Sequence, residues 1–82
     1  MKTVVLYSRT GCHLCDQARV EILRMRDQGR SFELREIDIE TDDELFLRYL
    51  ERIPVVAIGG ETVSELVLDA DALRARLDTV RA

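Results

Sequence analysis

Hydrophobic positions divide the first half of the chain into a strand, a helix and a second strand. Val4–Tyr7 is a nearly continuous run of β-prone residues, which is typical of a strand covered on both faces and central in a sheet. Apolar residues then recur at intervals of three and four, and this spacing predicts an amphipathic helix. The apolar positions of that helix are Leu14, Ala18, Ile22 and Met25. Gly29 suits its C-terminal cap.

A second strand is predicted by the next apolar residues, which are Phe32, Leu34, Ile37 and Ile39. Their alternation changes phase around Arg35-Glu36, which indicates either a β-bulge or a change of exposed face. We interpret Glu36 and Asp38 as solvent-facing ends of this strand. A strand, a helix and a strand form a βαβ unit, so the two strands are predicted to be parallel with a right-handed crossover.

Turn and cap signals predict the elements of the second half. Thr41–Glu44 has the form of a capping box and predicts a short helix that ends before Ile53-Pro54. Two short apolar stretches around Gly59-Gly60 predict an antiparallel β-hairpin, and Asp69 is the predicted N-cap of a last helix. The apolar positions of the last helix are Ala70, Leu73, Leu77 and Val80, with Arg81 on its solvent side. The element order is therefore β-α-β-α-β-β-α, an α/β fold.

Length and charge narrow the class of protein. The 82 residues provide for one domain, assigned to residues 1–82, and a hydrophobic content of 46% is that of a globular chain. The formal charge is −4 and the 12 basic residues are scattered among 16 acidic ones, so no nucleic-acid or membrane surface is expected. The first apolar run is too short for a signal-peptide core or a membrane span, so we expect a cytoplasmic protein. We also expect a monomer.

The candidate chemistry lies in Thr10–Asp16, which contains both cysteines of the chain as Cys12-His13-Leu14-Cys15. At this spacing the two thiols lie one helical turn apart and can close a disulfide with little backbone movement. Because structural disulfides are rare in reducing compartments, a catalytic pair is favoured over a structural one. The unpaired amides of a first helical turn favour an anion, so we predict that Cys12 is the attacking thiolate. Cys15 is then the shielded thiol that resolves the mixed disulfide.

Other interpretations of the cysteines stay open at this point. Cys12, His13 and Cys15 offer three metal ligands, although a closed tetrahedral zinc site needs four and the chain has no second cluster. The thiols could also be inert and buried, or the domain could be a binding module without turnover. His13 either lowers the pKa of Cys12 or lies exposed beside it. Arg9 either acts electrostatically in the site or is a solvated loop residue.

Three segments, Leu6–Cys15, Glu36–Ile39 and Arg52–Val56, carry a resemblance to a known family. They resemble the glutaredoxins of the thioredoxin-fold superfamily, and in particular small bacterial glutaredoxin-like proteins with a Cys-His-Leu-Cys motif. The resemblance implies a thioredoxin fold, with a four-stranded mixed β-sheet flanked by three helices, and a cis Ile53–Pro54 peptide bond beside the redox loop. Pro54 offers no N–H, so we expect the main chain at Ile53 to hydrogen-bond an extended substrate.

The same resemblance implies a dithiol thiol–disulfide oxidoreductase that reduces protein disulfides, or mixed disulfides with glutathione, through Cys12 and Cys15. The residues assigned to substrate binding are Arg9, His13, Ile53 and Pro54. No bound cofactor or metal is expected, and glutathione or a thioredoxin-reductase-type donor would supply the electrons. Some glutaredoxins share an iron–sulfur cluster between two protomers, so a cluster or metal carrier is the alternative use of the same cysteines.

Two positions depart from the usual glutaredoxin pattern. His13-Leu14 stands between the cysteines where the family usually has Pro-Tyr or a similar pair, and these residues help to set the reduction potential. Ser64-Glu65 stands where the family's glutathione site has a Gly-Gly pair followed by an acidic residue. In this chain the pair Gly59-Gly60 occupies the hairpin turn instead.

Overall fold

The computed structural model describes residues 2–79 of the chain. These residues form a four-stranded mixed sheet, three α-helices and one short 3₁₀ helix, which confirms the predicted order of strands and helices. In chain order the elements are β1 (Lys2–Ser8), α1 (His13–Asp27), β2 (Phe32–Asp38), the 3₁₀ helix (Ile39–Thr41), α2 (Asp43–Tyr49), β3 (Val55–Ile58), β4 (Glu61–Ser64) and α3 (Ala70–Asp78). Val80 and Arg81, predicted in the last helix, lie outside the described residues.

The first strand is central in the sheet, as its apolar run predicts. The strand order is β2-β1-β3-β4, and β1 pairs in parallel with β2 and antiparallel with β3. Tyr7, near the end of β1, lies opposite Ile37 of β2 and Val55 of β3. The carboxyl ends of β1 and β2 and the amino end of β3 therefore meet. We call this end of the sheet, at Ser8 and Asp38, the loop end.

The edge strand β2 pairs with β1 without interruption, starting from Phe32 opposite Lys2. A β-bulge in this strand, one of the two predicted alternatives, is therefore wrong, and the change of exposed face is confirmed. Phe32 is buried whereas Glu36 is exposed, although residues four apart in a strand share a face. The inward pattern changes because Glu36 meets Arg19 of α1 instead of an apolar side chain.

The hydrophobic core lies between the sheet and the helices α1 and α3. Its buried members are Val4, Leu6, Ala18, Ile22, Met25, Phe32, Val56, Ile58 and Leu73. Leu14, predicted on the buried face of α1, is instead 41% exposed, and Cys15 is the buried residue of the first turn. The two positions flank the inner stripe of the helix almost equally. Here Leu14 lines a shallow groove with Val67, in the segment that joins β4 to α3.

Glycine and aspartate fix the helix ends where the sequence places them. Gly29 follows α1 with a φ of +104°, and the amide of Arg30 donates to the carbonyl of Met25 at 3.3 Å. This pattern is the left-handed C-terminal cap that the position of Gly29 predicts. Asp69 caps α3 by accepting a hydrogen bond of 3.0 Å from the amide of Ala72, which confirms the second prediction.

The helix α2 is capped by Asp42 and not by the first residue of the predicted capping box. The Asp42 carboxylate accepts hydrogen bonds from the amides of Glu44 at 2.8 Å and Leu45 at 3.2 Å. Thr41 instead ends the 3₁₀ helix, where its hydroxyl donates to the carbonyl of Asp38 at 2.7 Å. The short 3₁₀ helix moves the start of α2 by one residue, and this shift gives the capping role to the aspartate.

At the opposite end of the sheet, β1 and β2 begin beside the carboxyl end of α3. The ammonium of Lys2 donates to three carbonyls there, which belong to Arg76, Leu77 and Thr79. A cation at this position complements the negative end of the helix dipole. Arg30 also binds Asp78 through two parallel hydrogen bonds of 2.9 and 3.1 Å. The last helix is therefore attached to the start of the sheet by two basic side chains.

Candidate redox site

A short loop leads from β1 into α1 and positions both cysteines. Gly11 takes a φ of +81°, a conformation that favours glycine, and the next residue, Cys12, is the N-cap of α1. The amide of Cys12 donates to the carbonyl of Arg9 at 3.3 Å. The carbonyl of Cys12 accepts from the amide of Asp16 at 3.1 Å, which is the first hydrogen bond of the helix. The helix therefore starts at the first cysteine.

Cys12 and Cys15 form a disulfide, and their Cα atoms lie 5.2 Å apart. The amide of Cys15 donates to the sulfur of Cys12 at 3.1 Å. Cys12 is partly exposed, whereas Cys15 is fully buried in the first turn of α1. A helix N-terminus and an N–H donor both favour the thiolate form of a cysteine, so the accessible sulfur is also the one that the fold would ionise.

The Ile53–Pro54 peptide bond is cis, as the resemblance implies. Pro54 is fully buried, and the residue after it, Val55, lies opposite Tyr7 near the loop end of the sheet. The amide of Ile53 donates to the carbonyl of Tyr49 at 3.0 Å, and no hydrogen bond among the described residues uses the Ile53 carbonyl. The amide of Ile53 is therefore engaged within the chain, and a hydrogen bond between Ile53 and an extended substrate stays a prediction.

Arg9 and His13, the other residues assigned to substrate binding, are engaged with neighbouring side chains. The Arg9 guanidinium donates to Glu40 at 3.0 Å and lies 5.6 Å from the centre of the Phe46 ring. His13 is the exposed first residue of α1, and its Nε2 lies 3.1 Å from the side-chain nitrogen of Gln17. Their roles toward a substrate stay predictions.

The carboxylate of Glu36 joins three elements behind the loop. It accepts a hydrogen bond of 2.7 Å from the hydroxyl of Ser8 and two parallel hydrogen bonds of 2.6 and 2.5 Å from Arg19. Arg19 also donates to Asp16 at 3.1 Å. We call Ser8, Asp16, Arg19 and Glu36 the Glu36 cluster. Glu36 is exposed, as the sequence predicts, and the structure adds a partner for it on another element.

The Glu36 cluster keeps its carboxylate ionised. The hydrogen bonds from Arg19 lower the pKa of Glu36, and the Ser8 hydroxyl acts in the same direction, while partial burial opposes the shift. Asp38, the second predicted solvent-facing end, instead caps the 3₁₀ helix by accepting from the amide of Glu40 at 2.9 Å. Glu36 and Asp38 therefore both hold local structure at the loop end.

The sequence matches one family along nearly its whole described length. The model of the glutaredoxin-like domain (DUF836) matches residues 3–78. The chain belongs to the glutaredoxin-like domain family. The matched residues of this glutaredoxin-like domain include the cysteine pair and the cis proline segment. No curated protein matches the chain.

Several solved structures resemble this glutaredoxin-like chain, among them the three that follow. Protein Ne2328 from Nitrosomonas europaea is 32% identical, with a TM-score of 0.79, over 94% of this chain and 92% of that one. Protein XcR50 from X. campestris is 34% identical, with a TM-score of 0.73, over 95% of this chain and 99% of that one. A glutaredoxin from Brucella melitensis is 29% identical, with a TM-score of 0.58, over 95% of this chain and 80% of that one. Matches to thioredoxins confirm the thioredoxin fold.

Three further observations describe the site and its setting. Both cysteines of the glutaredoxin-like chain are in the Cys12–Cys15 disulfide. Within residues 2–79, no group of three or more His, Cys, Asp or Glu side chains is arranged to hold a metal ion. Over the same residues, no helix is long and apolar enough to cross a membrane.

Proposed function

We propose that this chain is a dithiol thiol–disulfide oxidoreductase that acts mainly as a disulfide reductase. The observation that supports it most strongly is the position of Cys12 at the N-cap of α1, where its sulfur accepts the Cys15 amide at 3.1 Å. A cysteine at a helix N-terminus in a Cys-x-x-Cys motif has a lowered pKa and attacks disulfides as a thiolate. Cys15 is buried within the same turn and is within bonding distance, as a resolving thiol must be.

The reaction proceeds by two successive exchanges. The Cys12 thiolate attacks one sulfur of the target disulfide, forms a mixed disulfide and releases the other sulfur as a thiolate, which takes up a proton. Cys15 then loses its proton and attacks the Cys12 sulfur, forming the internal disulfide and releasing the reduced target. The target gains two electrons and the cysteine pair loses two. Glutathione or a thioredoxin-reductase-type donor then reduces the pair again, and a reducing compartment such as the cytoplasm suits this cycle.

We propose protein disulfides as the preferred substrates. Three apolar side chains on this side of the molecule are exposed, namely Leu14 at 41%, Leu66 at 51% and Val67 at 69%. Leu14 and Val67 line one groove, and the amide of Leu66 donates to the carbonyl of Arg52, just before the cis proline segment. We call Leu14, Leu66 and Val67 the apolar rim. An apolar rim beside a sulfur nucleophile suits the side chains that flank a cysteine in a polypeptide.

The segment after β4 also differs from the expected glutathione site. Ser64 is buried, and its hydroxyl accepts from the amide of Asp69 at 2.8 Å. The hydroxyl also lies 3.4 Å from the carbonyl of Val67, to which it donates. A side chain therefore braces the segment where the family has two glycines. This difference favours protein disulfides over glutathione mixed disulfides in the proposal.

The test compares two substrates and two cysteine variants. We expect the wild-type protein to reduce a protein disulfide faster than a mixed disulfide of glutathione with a small thiol. Cys12→Ser abolishes both reactions because it removes the nucleophile, whereas Cys15→Ser accumulates the mixed disulfide with the protein target. Mass spectrometry identifies that adduct. A wild-type protein that binds targets without reducing them, or a Cys12→Ser variant that keeps the activity, would contradict the proposed enzyme.

A further inference from the structure

The Glu36 cluster brackets the redox loop. Ser8 is the last residue of β1, four residues before Cys12, and Arg19 lies one helical turn after Cys15. Both side chains donate hydrogen bonds to the carboxylate of Glu36 on β2. Ser8 donates one from its hydroxyl, and Arg19 donates two from its guanidinium. Arg19 additionally holds Asp16, in the first turn of α1. The strand before the loop and the helix after it are therefore joined through a single side chain.

Apolar packing gives the first turn of α1 little other support. The buried residues of the helix are Cys15, Ala18, Ile22 and Met25, so its two largest apolar anchors lie in the second half. In the first turn only Cys15 is buried, and Leu14 is largely exposed. Cys15 must also leave the disulfide during each reaction cycle, so its contacts change as the protein works. A bidentate guanidinium–carboxylate pair has the directionality to fix a helix at this place.

We propose that Glu36 and Arg19 are positioning residues for the exchange reaction, which hold the first turn of α1 so that the Cys12 sulfur stays on the Cys15 amide. The inference rests on the proposed function and deepens it. The effect of a helix N-terminus on a charge falls off within the first turn, so a small movement of this turn weakens the stabilisation of the thiolate. Among the described residues, Glu36 and Arg19 make no hydrogen bond to either sulfur, so in this proposal they act through the helix.

The decisive variants keep all charges and remove the two-pronged contact. Arg19→Lys retains a cation but cannot bind a carboxylate through two parallel bonds. Arg30→Lys is the matched control, because Arg30 binds Asp78 in the same bidentate way at the opposite end of the sheet. The rate of alkylation of Cys12 in the reduced protein at pH 7, with the labelled peptide identified by mass spectrometry, reports the thiolate fraction. Repeating the measurement from pH 4 to 9 gives the pKa of the Cys12 thiol.

We expect Arg19→Lys to raise the pKa of the Cys12 thiol and, at pH values below that pKa, to slow alkylation about two- to fivefold, which is the range for one charge at a helix terminus. The equilibrium with glutathione should shift toward the Cys12–Cys15 disulfide by a similar factor, because the reduced form loses stabilisation. Arg30→Lys should keep the wild-type rate, although both variants lose some thermal stability. A wild-type rate in Arg19→Lys, or an equal loss in Arg30→Lys, overturns the inference.

A second variant separates positioning from simple electrostatics. The charged residues that line this side of the loop are Arg9, Asp16, Arg19, Glu36 and Asp38, and His13 begins the helix. Removing the negative charge in Glu36→Gln would by itself lower the pKa of Cys12 and speed alkylation. Loss of positioning raises the pKa of Cys12 instead, so we expect Glu36→Gln to slow the alkylation of Cys12. Faster alkylation in this variant contradicts the inference.

Alkylation needs no disulfide substrate, so the inference and the proposed function can fail separately. If the wild-type protein reduces no disulfide, the proposed function is wrong. Slower alkylation of Cys12 in Arg19→Lys would still show that Arg19 positions Cys12. Conversely, if the protein reduces disulfides but Arg19→Lys and Glu36→Gln both keep the wild-type alkylation rate, the proposed function stands and the inference is wrong. Ser8→Ala, which removes one hydroxyl bond and no charge, serves if Glu36→Gln does not fold.

Discussion

The two ends of the sheet contain the same kind of contact in different surroundings. At the loop end, Arg19 binds Glu36 through two parallel bonds, and at the opposite end Arg30 binds Asp78 in the same way. The first pair joins β2 to α1, the helix that carries the cysteines, whereas the second joins the start of β2 to the last helix. The opposite end contains no cysteine. Under the proposed positioning role, two guanidinium–carboxylate pairs of similar geometry therefore serve a reaction at one end and only the fold at the other.

The largest expected effect comes from the core that both ends share. Ile22→Ala removes a fully buried side chain from the middle of α1 and should lower the free energy of unfolding by about 2–5 kcal/mol, measured by urea denaturation. Leu47→Ala is the control, because Leu47 is 84% exposed on α2 and should change stability by less than about 0.5 kcal/mol.

The same core variant sharpens the comparison between the ends. Under native conditions, we expect Cys12 of the folded Ile22→Ala protein to be alkylated at close to the wild-type rate, because the Glu36 cluster still holds the first turn. If Ile22→Ala slowed the alkylation of Cys12 as much as Arg19→Lys does, general loosening of α1 and not the loop-end contact would explain both results.

A smaller effect is expected at the opposite end alone. Lys2→Met keeps the length of the side chain but removes the ammonium from the carbonyls at the end of α3. We expect a loss of about 0.3–1 kcal/mol in the free energy of unfolding, as for other cations at helix carboxyl ends. Disulfide reduction should be unchanged. A variant that loses activity while it stays folded would show that the two ends are coupled.

The smallest expected effect is a change in the pH dependence of stability, and it appears at both ends. The hydrogen bonds from Arg19 and Arg30 lower the pKa of Glu36 and of Asp78, respectively. The unfolded chain therefore binds more protons than the folded one below about pH 5, and stability falls as the pH drops through the folded-state pKa values. Glu36→Gln and Asp78→Asn should each flatten this fall in denaturation curves from pH 7 to 2. An unchanged slope in both would show that neither pair matters to folding.

Much of the fold follows from local patterns that the structure keeps. The apolar run of β1 gives a central strand, Gly29 ends α1, and Asp69 begins α3. Each of these features depends on residues that are close in sequence. The cysteine pair is equally local, since its spacing alone places two sulfurs in one helical turn. The cis bond before Pro54 came from the family resemblance, because single X–Pro bonds in folded proteins are mostly trans.

The incorrect predictions at Leu14 and Thr41, and the unpredicted partner of Glu36, each have a physical reason. Periodicity does not decide whether Leu14 or Cys15 faces inward. The loop that joins β1 to α1 sets the rotation of the first helical turn about its axis. Neighbouring polar residues at Thr41 and Asp42 can each cap a helix, and the intervening 3₁₀ turn decides between them. Glu36 shares a face of β2 with the buried Phe32, and this was the one feature of the sequence that could have indicated a partner on the helix packed there. Its partner is 17 residues away, and only the packed structure brings the two together.

Leu66 shows a conflict between folding and recognition within one residue. It has a φ of +64°, a left-handed conformation that costs an L-residue with a side chain about 1–2 kcal/mol relative to the right-handed one. Glycine would adopt this backbone without that cost, yet the position holds a half-exposed leucine that adds nothing to the described core. In the proposed apolar rim, the side chain is thus retained against the conformational preference of its own backbone. Selecting variants only for heat resistance would favour glycine here and erode contact with protein targets.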